Sequence, residues 1–456
     1  MTEKSKGSSI VFLIVGSLFL LLLPSCASPS GISSSIHNLA ARNDCARAKA
    51  FLEKNQRHYG ANNRLLYFLD RGMLLHLCKD YQESNNAFEQ AKKEYEKLYT
   101  KSVTGIIGSW LFNEYTLPYA GEDFERVLIN IFGSMNYVML NDLQGALVEA
   151  RDVDETLRLI NSRYDPGRYN VYREDAFARL LIGVLYEASL NPEGYNNAFI
   201  SYKKSAQIYA DDYARLYQVP MPSVLKENLL AAAQWMGDEE FTRTKADCGD
   251  IPFQSLAEKS KKAEVYLIHY NGPAPVKTEI VVPIPLPDGN IVTLALAKYD
   301  RHYPVVRFSE LVAEKNENAS FRSATEIVQD INAIAIKNLE NKRSRIVAKA
   351  VATSAGKYLL EKALQQKIKE KFGQTAEINA ILLSSLFNIY TNRADLRSWQ
   401  TIPSKIYLAR LLLDPGEYSL RVDHFNFQHS AVGQKDLGKV HLYSGDKRFF
   451  IIKTVP

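Results

Sequence analysis

Residues 68–91 read FLDRGMLLHLCKDYQESNNAFEQA, and the spacing within this stretch indicates the fold class of the N-terminal half. Large apolar residues recur every three or four positions, which places them on one face of a helix. The pattern combines small side chains at Gly72 and Ser84 with the bulky aromatic Phe88, and this combination lets two helices approach closely and nest. The stretch therefore predicts a pair of antiparallel amphipathic helices.

The same pattern returns further along the chain. In its first copy it comprises Phe68, Gly72, Leu75, Tyr81, Ser84, Phe88 and Ala91, at the spacing of the tetratricopeptide pattern. Its second half recurs at Tyr137, Leu143, Ala146 and Ala150, and most of it recurs at Gly183, Tyr186, Tyr195, Ala198, Tyr202 and Ser205. This last copy has about three extra residues in its turn. With a weaker helical piece at 224–241, residues 44–250 are predicted to form a tetratricopeptide-like α-helical repeat stack.

Such a stack has a concave groove lined by the first helix of each pair, and grooves of this kind bind protein segments. We therefore expect a partner-binding platform. The alternative is a helical spacer that only positions the other domain. Aromatic residues can line a peptide groove, although at helical spacing they more often belong to the core. The candidates are Trp110, Tyr115, Tyr119, Phe124 and Trp235.

The periodicity changes to two after residue 262, which indicates strands. Predicted strands are Val265–His269, Glu279–Ile284, Ile291–Ala295, Val305–Phe308, Ile406–Leu412, Tyr418–Asp423, Lys439–Tyr443 and Arg448–Lys453. Turns are predicted at Asn271-Gly272, Asp288-Gly289, Asp414-Pro415-Gly416 and Ser444-Gly445-Asp446. Residues 262–323 and 394–456 are thus expected to form a small β-sandwich of the prealbumin or immunoglobulin-like kind. The predicted fold class is α+β.

Residues 324–393 are predicted to be a long helical insertion in the strand domain, with two helices broken near Gly373. Small side chains in both helices favour close packing, which can occur within the chain, between subunits or at a membrane. Packing within the chain is the favoured interpretation. Neither helix has enough uncharged residues to span a bilayer.

The N terminus has the features of a signal peptide, residues 1–25. Lys4 and Lys6 precede a short apolar run, and the sequence from Leu23 to Cys26 resembles the lipobox of bacterial lipoproteins. We expect cleavage before Cys26 and a covalent lipid on its thiol, with residues 26–43 as a flexible tether. By resemblance to lipoprotein sorting in double-membraned bacteria, Ala27 after the cysteine implies the outer membrane, with the protein facing the periplasm. A plain secretory signal and a retained anchor helix are the alternatives.

Composition limits the remaining possibilities. The formal net charge of +5 is spread over 456 residues, which does not predict nucleic-acid binding. A Cys45–Cys78 disulfide is conceivable in an oxidising compartment, with inert buried thiols as the default for the three cysteines after Cys26. The expected partners are the membrane, through the lipid, other envelope proteins and further copies of this chain. No other cofactor is predicted.

A more specific resemblance starts at Ala394-Asp395-Leu396-Arg397-Ser398-Trp399-Gln400-Thr401-Ile402-Pro403, followed by 406–410 and Pro415-Gly416. Together with 119–126 and with Asn271-Gly272-Pro273, it is similar to an uncharacterised family of tetratricopeptide-containing bacterial envelope lipoproteins. Members are often encoded beside small lipoproteins that resemble activators of penicillin-binding proteins and curli-type secretion subunits. The resemblance implies a role in envelope assembly and supplies no catalytic residues.

Two polar segments have a structural and a functional interpretation. Asp395 and Arg397 are predicted to pair while Trp399 covers the core, and the alternative is a recognition surface with Arg397 and Trp399 as anchors. Residues 121–126 are predicted to start a helix with acidic residues in its first turn, and only secondarily to form a contact site. Tyr119, Glu122, Phe124, Arg397 and Trp399 are therefore the candidate partner-binding residues.

No catalytic motif emerges. The sequence has no phosphate-loop, dinucleotide, zinc-protease or nucleophile-elbow pattern and no Cys-x-x-Cys pair. The nearest metal candidates, Asp423, His424, His429 and His441, are more simply ordinary surface or core residues. Asp300-Arg301-His302 is a polar cluster without an evident partner. Glu122 and Glu125 lie on one helical turn and cannot flank a sugar bond. We expect a non-enzymatic scaffold or adaptor, and the alternative is a peptidoglycan-associated enzyme or ligand-binding lipoprotein that uses the strand domain.

Overall fold

The computed structural model describes residues 29–41, 44–104, 117–162, 171–285, 291–301, 303–315, 319–342 and 393–454, with 347 and 366 as single residues. The signal peptide, Cys26 and most of the predicted helical insertion lie outside the described residues. Within these ranges, no helix is both long and apolar enough to cross a membrane.

The N-terminal half consists of helices. Their bounds are α1 Pro29–Ala41, α2 Cys45–Lys54, α3 Gln56–Tyr59, α4 Arg64–Leu77, α5 Tyr81–Thr104, α6 Asp123–Met139, α7 Leu143–Asn161, α8 Ala176–Glu187, α9 Pro192–Ile208, α10 Ser223–Met236, α11 Asp238–Cys248 and α12 Leu256–Lys259. A 3₁₀ turn, Ala61–Asn63, precedes α4, and a π-helical stretch, Tyr209–Tyr217, continues α9. Residues 331–342 are also helical.

Consecutive helices pack as antiparallel pairs. In the first pair, Gly72 of α4 lies against Phe88 of α5 while Arg64 pairs with Glu94 at 2.9 Å, so one helix runs back along the other. A serine hydroxyl donates to a backbone carbonyl of the partner helix in three pairs, at 2.7 Å each time. The three bonds join Ser84 to Gly72, Ser134 to Ala146 and Ser205 to Ala176.

The closest approach in two pairs requires a glycine. A Cβ at Gly72 would lie 2.3 Å from Cε1 of Phe88, and a Cβ at Gly183 would lie 2.3 Å from Cε1 of Tyr202. Each ring thus occupies the space that a side chain would fill. Local caps set where helices start, because Asp142 and Asp175 each accept a hydrogen bond from the backbone N–H three residues later.

The N-terminal end of the described chain is tied to the helices. Within the predicted tether, α1 buries Ile32 and Ile36, which lie four residues apart on one helical face. The prediction of a flexible tether is therefore wrong over 29–41. Cys45 and Cys78 form a disulfide with their Cα atoms 5.7 Å apart. The default prediction of inert buried thiols is therefore wrong for these two cysteines. Cys248 is a buried free thiol.

Among its described residues, the C-terminal half has ten strands. They are β1 Ala263–Pro273, β2 Val276–Pro285, β3 Ile291–Asp300, β4 Phe308–Lys315, β5 Ala319–Ala324, β6 Glu326–Asp330, β7 Pro403–Leu413, β8 Gly416–Phe425, β9 Ala431–Leu442 and β10 Lys447–Thr454. Two sheets have four strands each, in the orders β10-β1-β7-β6 and β5-β4-β8-β9, and β2 pairs with β3 as a hairpin. β1 pairs parallel with β10 and antiparallel with β7.

Several predicted strand boundaries were wrong. The fourth strand starts at Phe308 rather than ending there, and β5 and β6 were not predicted. Asn271-Gly272 belongs to β1, where Asn271 pairs with Lys405. Five residues of the predicted helical insertion form β6 because they pair with β7, a contact that local periodicity does not encode.

β1 separates the two parts of the core because both of its faces are buried. Val265 and Leu267 point towards the second sheet and pack with residues of β4 and β8. The intervening Tyr266, Ile268 and Tyr270 point the other way and belong to the core shared with the helices. The molecule therefore has three layers, with the β10-β1-β7-β6 sheet between the helices and the second sheet. It is a mixed α+β protein.

Candidate functional site

The β10-β1-β7-β6 sheet lies against the first helix of each pair. Polar contacts at this boundary come from α4, from the start of α8 and from α10. They join His76 to Tyr270 (Nε2–Oη 3.0 Å), Asp175 to Gln329 (Oδ2–Nε2 2.8 Å) and Asn228 to Arg410. The helix face that was expected to line a groove for partners is thus covered by the chain's own sheet.

Trp399 is the largest side chain in this boundary. It is 1% exposed, and its ring meets Phe88 and Phe132 edge to face at centroid distances of 6.1 and 5.8 Å. Its backbone N–H donates to Oε1 of Glu125 at 2.7 Å, and its indole N–H donates to Thr401 at 2.8 Å. The prediction that Trp399 covers the core is confirmed.

Arg397 joins the segment before β7 to the helices. Its guanidinium forms a two-pronged pair with Asp395, at 2.8 and 2.7 Å, as predicted. It also donates to Asn63 Oδ1 and to the carbonyl of Leu117, and it lies over the ring of Tyr119 at 5.4 Å. These contacts leave Arg397 only 5% exposed. A partner would have to displace them to reach this side chain.

Glu122 and Glu125 start α6, as predicted for 121–126, and they have opposite surroundings. Burial alone would raise the pKa of Glu122, but ion pairs with Lys277 (2.6 Å) and Lys342 (3.0 Å) outweigh burial and hold that pKa well below its usual range. Burial and the negative Glu122 raise the pKa of Glu125 to about 7. Glu125 accepts from the Tyr119 hydroxyl at 2.6 Å and is fully enclosed.

Asp70 is a second buried carboxyl that faces the C-terminal half. Three hydroxyls donate to it, from Ser33 at 2.7 Å, Tyr59 at 2.8 Å and Thr401 at 2.9 Å. Burial raises the pKa of Asp70 to about 6, although these hydroxyls favour the charged form. Burial also lowers the pKa of His76, which lies on the same helix as Asp70, to about 4. These groups hold the two halves together within a closed core.

A cluster of buried ions closes the other end of this boundary. Glu187 at the end of α8 and Glu264 on β1 are each almost fully buried. Lys259 lies 2.5 Å from Glu187, and Lys447 lies 2.9 Å from it. Lys447 and Arg410 both bind Glu264. Arg410 also pairs with Glu227, so three cations face three carboxylates and the cluster fixes helices and strands in one arrangement.

The nearest arrangement to a nucleophile and base is also closed to solvent. Ser309 Oγ on β4 lies 2.7 Å from His424 Nδ1 and 3.3 Å from His269 Nδ1. Ser309 and His269 have no exposed surface. Burial, and then the neighbouring His424, lower the pKa of His269 to about 3. A substrate cannot reach Ser309 in this structure.

An open cleft of about 440 Å³ lies beside this cluster in the strand domain. It is formed by the chain before β4, the start of the helix at 331–342, β7 and the turn between β8 and β9. Its lining residues include Arg301, Tyr303, Arg307, Asn332, Phe427 and His429, and also Asp330, Lys405 and Tyr407. We call this group the strand-domain cleft. Its residues combine cationic, aromatic and amide groups at the surface.

The predicted site residues fall mainly in the core. Tyr119 and Phe124 are each 3% exposed, as buried as Arg397 and Trp399, and Glu122 is bound to two lysines. That these five contact a partner stays a prediction. Of the histidine group, His429 faces Arg307, and His441 lies at a tilt against Tyr443 and pairs with Glu417 rather than near His424. Among the described residues, no cluster of three or more His, Cys, Asp or Glu side chains could hold a metal.

Sequence reasoning noted only Arg301 and His429 of the strand-domain cleft. Lys405, Asn332 and Phe427 were missed because each lies on a different element and shows no local motif. The polar cluster Asp300-Arg301-His302 was the sequence feature that could have indicated this cleft. Its residues do not act together in the structure. Asp300 binds Thr278 and Lys298 while Arg301 faces the cleft, and His302 lies outside the described residues.

No protein-family model matches the chain, and no curated protein matches it in sequence. The crystal structure of BtubC (BKLC) from P. vanneervenii is similar over 49% of this chain and 80% of that chain, with 14% sequence identity and a TM-score of 0.32. A score this low carries no argument about fold or function. The class of protein, mixed α+β, is defined by the chain's own helices and sheets.

Proposed function

We propose that this protein is a lipoprotein of the bacterial cell envelope, anchored to the outer membrane by lipid on Cys26 and facing the periplasm. It acts there as a non-enzymatic scaffold or adaptor for other envelope proteins. The observation that carries this proposal is the single core shared by helices and the β10-β1-β7-β6 sheet. A body locked in one arrangement suits a protein that holds partners in a fixed orientation near a membrane.

A finer description of the fold belongs to the same proposal. We interpret the helix pairs as tetratricopeptide-like repeats and the two four-stranded sheets as a β-sandwich. The recurring contacts Gly72–Phe88 and Gly183–Tyr202 support the repeats. In this interpretation the first-helix face holds the sheet, so the helical array serves the adaptor as a frame for the strand domain.

The Cys45–Cys78 bridge supports a location outside the cytoplasm, since structural disulfides persist in oxidising compartments and are rare in the cytosol. It ties the start of α2 to the end of α4, close to where the chain leaves the membrane in this proposal. The lipobox-like Leu23–Cys26 stretch points to the same location from the sequence alone.

The non-enzymatic character is supported by the position of Ser309. A nucleophile must meet its substrate, and Ser309 is enclosed between β4, β1 and β8. The raised pKa of Glu125 marks a residue of the closed boundary rather than an acid in an open cleft.

A second candidate is a ligand-binding lipoprotein that uses the strand domain. The strand-domain cleft favours it, because convergent polar and aromatic groups around an open volume are typical of small-molecule sites. This candidate has the same lipid anchor and the same helical array as the adaptor. It differs from the adaptor only in binding a small molecule instead of a protein.

Anchoring is tested by Cys26→Ser in cells, followed by membrane fractionation and labelling with a radioactive fatty acid. We expect the variant to lose the label, and to appear in the periplasm or remain as uncleaved precursor. Cys248→Ser is the matched control, since this thiol is buried in the fold and should not affect labelling. Unchanged label and membrane retention in Cys26→Ser would reject the lipid anchor.

Partner binding is tested with a photo-crosslinking amino acid placed at single exposed positions in intact cells. Val281 and Tyr443, 57% and 60% exposed and outside the strand-domain cleft, report on the strand domain, and Val148, 56% exposed, reports on the helices. We expect the same discrete crosslinked protein, or a second copy of this chain, from both strand-domain positions and not from Val148. No discrete species from any position would contradict the adaptor.

A further inference from the structure

The strand-domain cleft carries an excess of positive charge. Neither Arg301 nor Arg307 has an ion pair with a carboxylate of the described residues. The one acidic side chain in the cleft, Asp330, binds Lys405 at 3.2 Å and accepts from the backbone N–H of Ala333 at 2.8 Å. Two guanidinium groups thus remain uncompensated, and the planar guanidinium is the protein group best matched to carboxylate and phosphate oxygens.

Arg307 is held in place by a strained turn. Its Nη1 donates to His429 Nε2 at 3.0 Å, so that ring nitrogen acts as an acceptor. His429 has a left-handed backbone with φ of 58°, which is unfavourable for a residue with a side chain. Asn426 stabilises the turn by accepting from the N–H groups of Gln428 and Ser430 at 3.0 and 2.9 Å. Strain supported in this way is found preferentially at ligand sites.

Two aromatic rings stand exposed at the edge of the cleft. Tyr303 is 76% and Phe427 is 56% exposed, although burying such rings is favourable. Rings left open beside a polar cleft can stack on the C–H face of a sugar. The cleft volume of about 440 Å³ lies within the range of roughly 300–1,000 Å³ found for small-molecule sites.

Asn332 supplies a polar group without a partner. It lines the cleft and is 5% exposed, and its Oδ1 has no hydrogen-bond partner. An unpaired buried acceptor costs free energy of about 1–3 kcal/mol, which a donor from a ligand would offset. A hydroxyl group is such a donor, and a sugar carries several.

From these four features we propose that the strand-domain cleft binds an acidic sugar. Its carboxylate or phosphate lies against Arg301 and Arg307, its ring lies on Phe427 and Tyr303, and a hydroxyl donates to Asn332. The inference rests on the second candidate function, ligand binding by the strand domain, and names its ligand class. The inference and the adaptor can fail separately, because sugar binding is measured on purified protein and the adaptor is tested by crosslinking in cells.

The test is calorimetric titration of the purified mature chain in detergent with four probes, namely glucuronic acid, glucose 6-phosphate, glucose and inorganic phosphate. We expect at least one acidic sugar to bind about tenfold or more tightly than both glucose and inorganic phosphate. The tighter of the two acidic sugars identifies the carboxylate or the phosphate as the preferred anion.

Variants assign the binding to this cleft. Arg301→Gln and Arg307→Gln should each lower the affinity for the acidic sugar about tenfold. Phe427→Ala should lower the affinity for the sugar without changing the affinity for inorganic phosphate. Arg448→Gln, at an exposed arginine paired with Asp446 outside the cleft, should have no effect. All four positions are at the surface, so circular dichroism should show an unchanged fold.

Four results would overturn the inference. If glucose bound as tightly as the acidic sugars, the arginines would not contribute to binding. If inorganic phosphate bound as tightly as the acidic sugars, the sugar ring would not contribute. No binding of any probe, or binding unchanged by the arginine variants, would reject the site while leaving the crosslinking test of the adaptor intact.

Discussion

Phe88 shows how a single residue connects a local pattern to the whole fold. Its ring fills the space above Gly72 inside one helix pair and meets Trp399 from the segment before β7. The first contact follows from the helix spacing, whereas the second depends on how the strand domain is placed. One side chain therefore stabilises both the pair and the boundary between the halves.

Replacing Phe88 with alanine is expected to lower the free energy of unfolding by about 3–5 kcal/mol, because it leaves a cavity in a closed core. Denaturant unfolding followed by circular dichroism measures the change. Phe427→Ala is the matched control at a ring that is 56% exposed, and it should cost far less. Equal effects of the two substitutions would contradict the packing described for Phe88.

Asp70 makes stability depend on pH in a direction opposite to most carboxyl groups. Its folded-state pKa of about 6 is above the ordinary aspartate value of 3.8, so between these pH values the folded protein keeps a proton that the unfolded chain releases. The stabilisation linked to that proton is complete below about pH 4 and is lost as the pH rises through 6.

Asp70→Asn removes this titration. We expect the stability of the variant relative to the unmodified protein to increase by about 2 kcal/mol between pH 4 and pH 7. Urea unfolding of both proteins at several pH values gives the difference, in which Glu125, His76 and His269 cancel because both proteins contain them. A difference independent of pH would mean that the Asp70 pKa is not raised.

At the scale of elements, the disulfide fixes the first helices. Cys45 starts α2 and Cys78 follows α4, and 33 residues separate them. Closing a loop of this length restricts the unfolded chain, which stabilises the fold by about 4 kcal/mol in the chain-entropy description.

Reduction, or the double variant Cys45→Ser with Cys78→Ser, should lower the free energy of unfolding by about 2–5 kcal/mol. Unfolding with and without a reducing agent measures this loss, and the double variant should be insensitive to the agent. Cys248→Ser controls for loss of a thiol that forms no bridge. Free thiols at both Cys45 and Cys78 in non-reduced periplasmic protein, found by mass spectrometry, would contradict the bond.

The segment before β7 shows why some elements could be predicted in part only. Asp395 and Arg397 are two residues apart, so their pairing was predictable from spacing. The neighbouring bond from the Trp399 N–H to Glu125 joins residues 274 positions apart, and no periodicity indicates it. The same applies to β6, which is a strand because β7 offers it hydrogen bonds.

At the scale of the molecule, the shared core predicts that helices and strands unfold together. The buried ions connect α8, α10, α12, β1, β7 and β10 through Glu187, Glu227, Lys259, Glu264, Arg410 and Lys447. Breaking such a cluster leaves a buried charge without a partner, which costs about 3–5 kcal/mol.

Arg410→Ala should therefore shift the unfolding of both halves by the same amount. Far-ultraviolet circular dichroism reports mainly on the helices, and tryptophan fluorescence, measured in a background with Trp110→Phe and Trp235→Phe, reports on Trp399 at the boundary. We expect one coincident transition in the unmodified protein and one, shifted to lower denaturant, in the variant. Arg448→Ala, at an exposed arginine, should leave the midpoint nearly unchanged. Separate helical and boundary transitions would show that the halves are independent.

Local patterns in the chain were enough for the helix pairs, most strands, the Asp395–Arg397 pair and the start of α6. Each of these needs only the spacing of side chains within a few turns or a few strand residues. The tertiary structure alone decided that the first-helix face is covered by the sheet and that the strand-domain cleft exists. Both arise where distant elements meet: the burial of Asp70 and the convergence of Arg301, Asn332 and Phe427 depend on three-dimensional packing, which local spacing does not record.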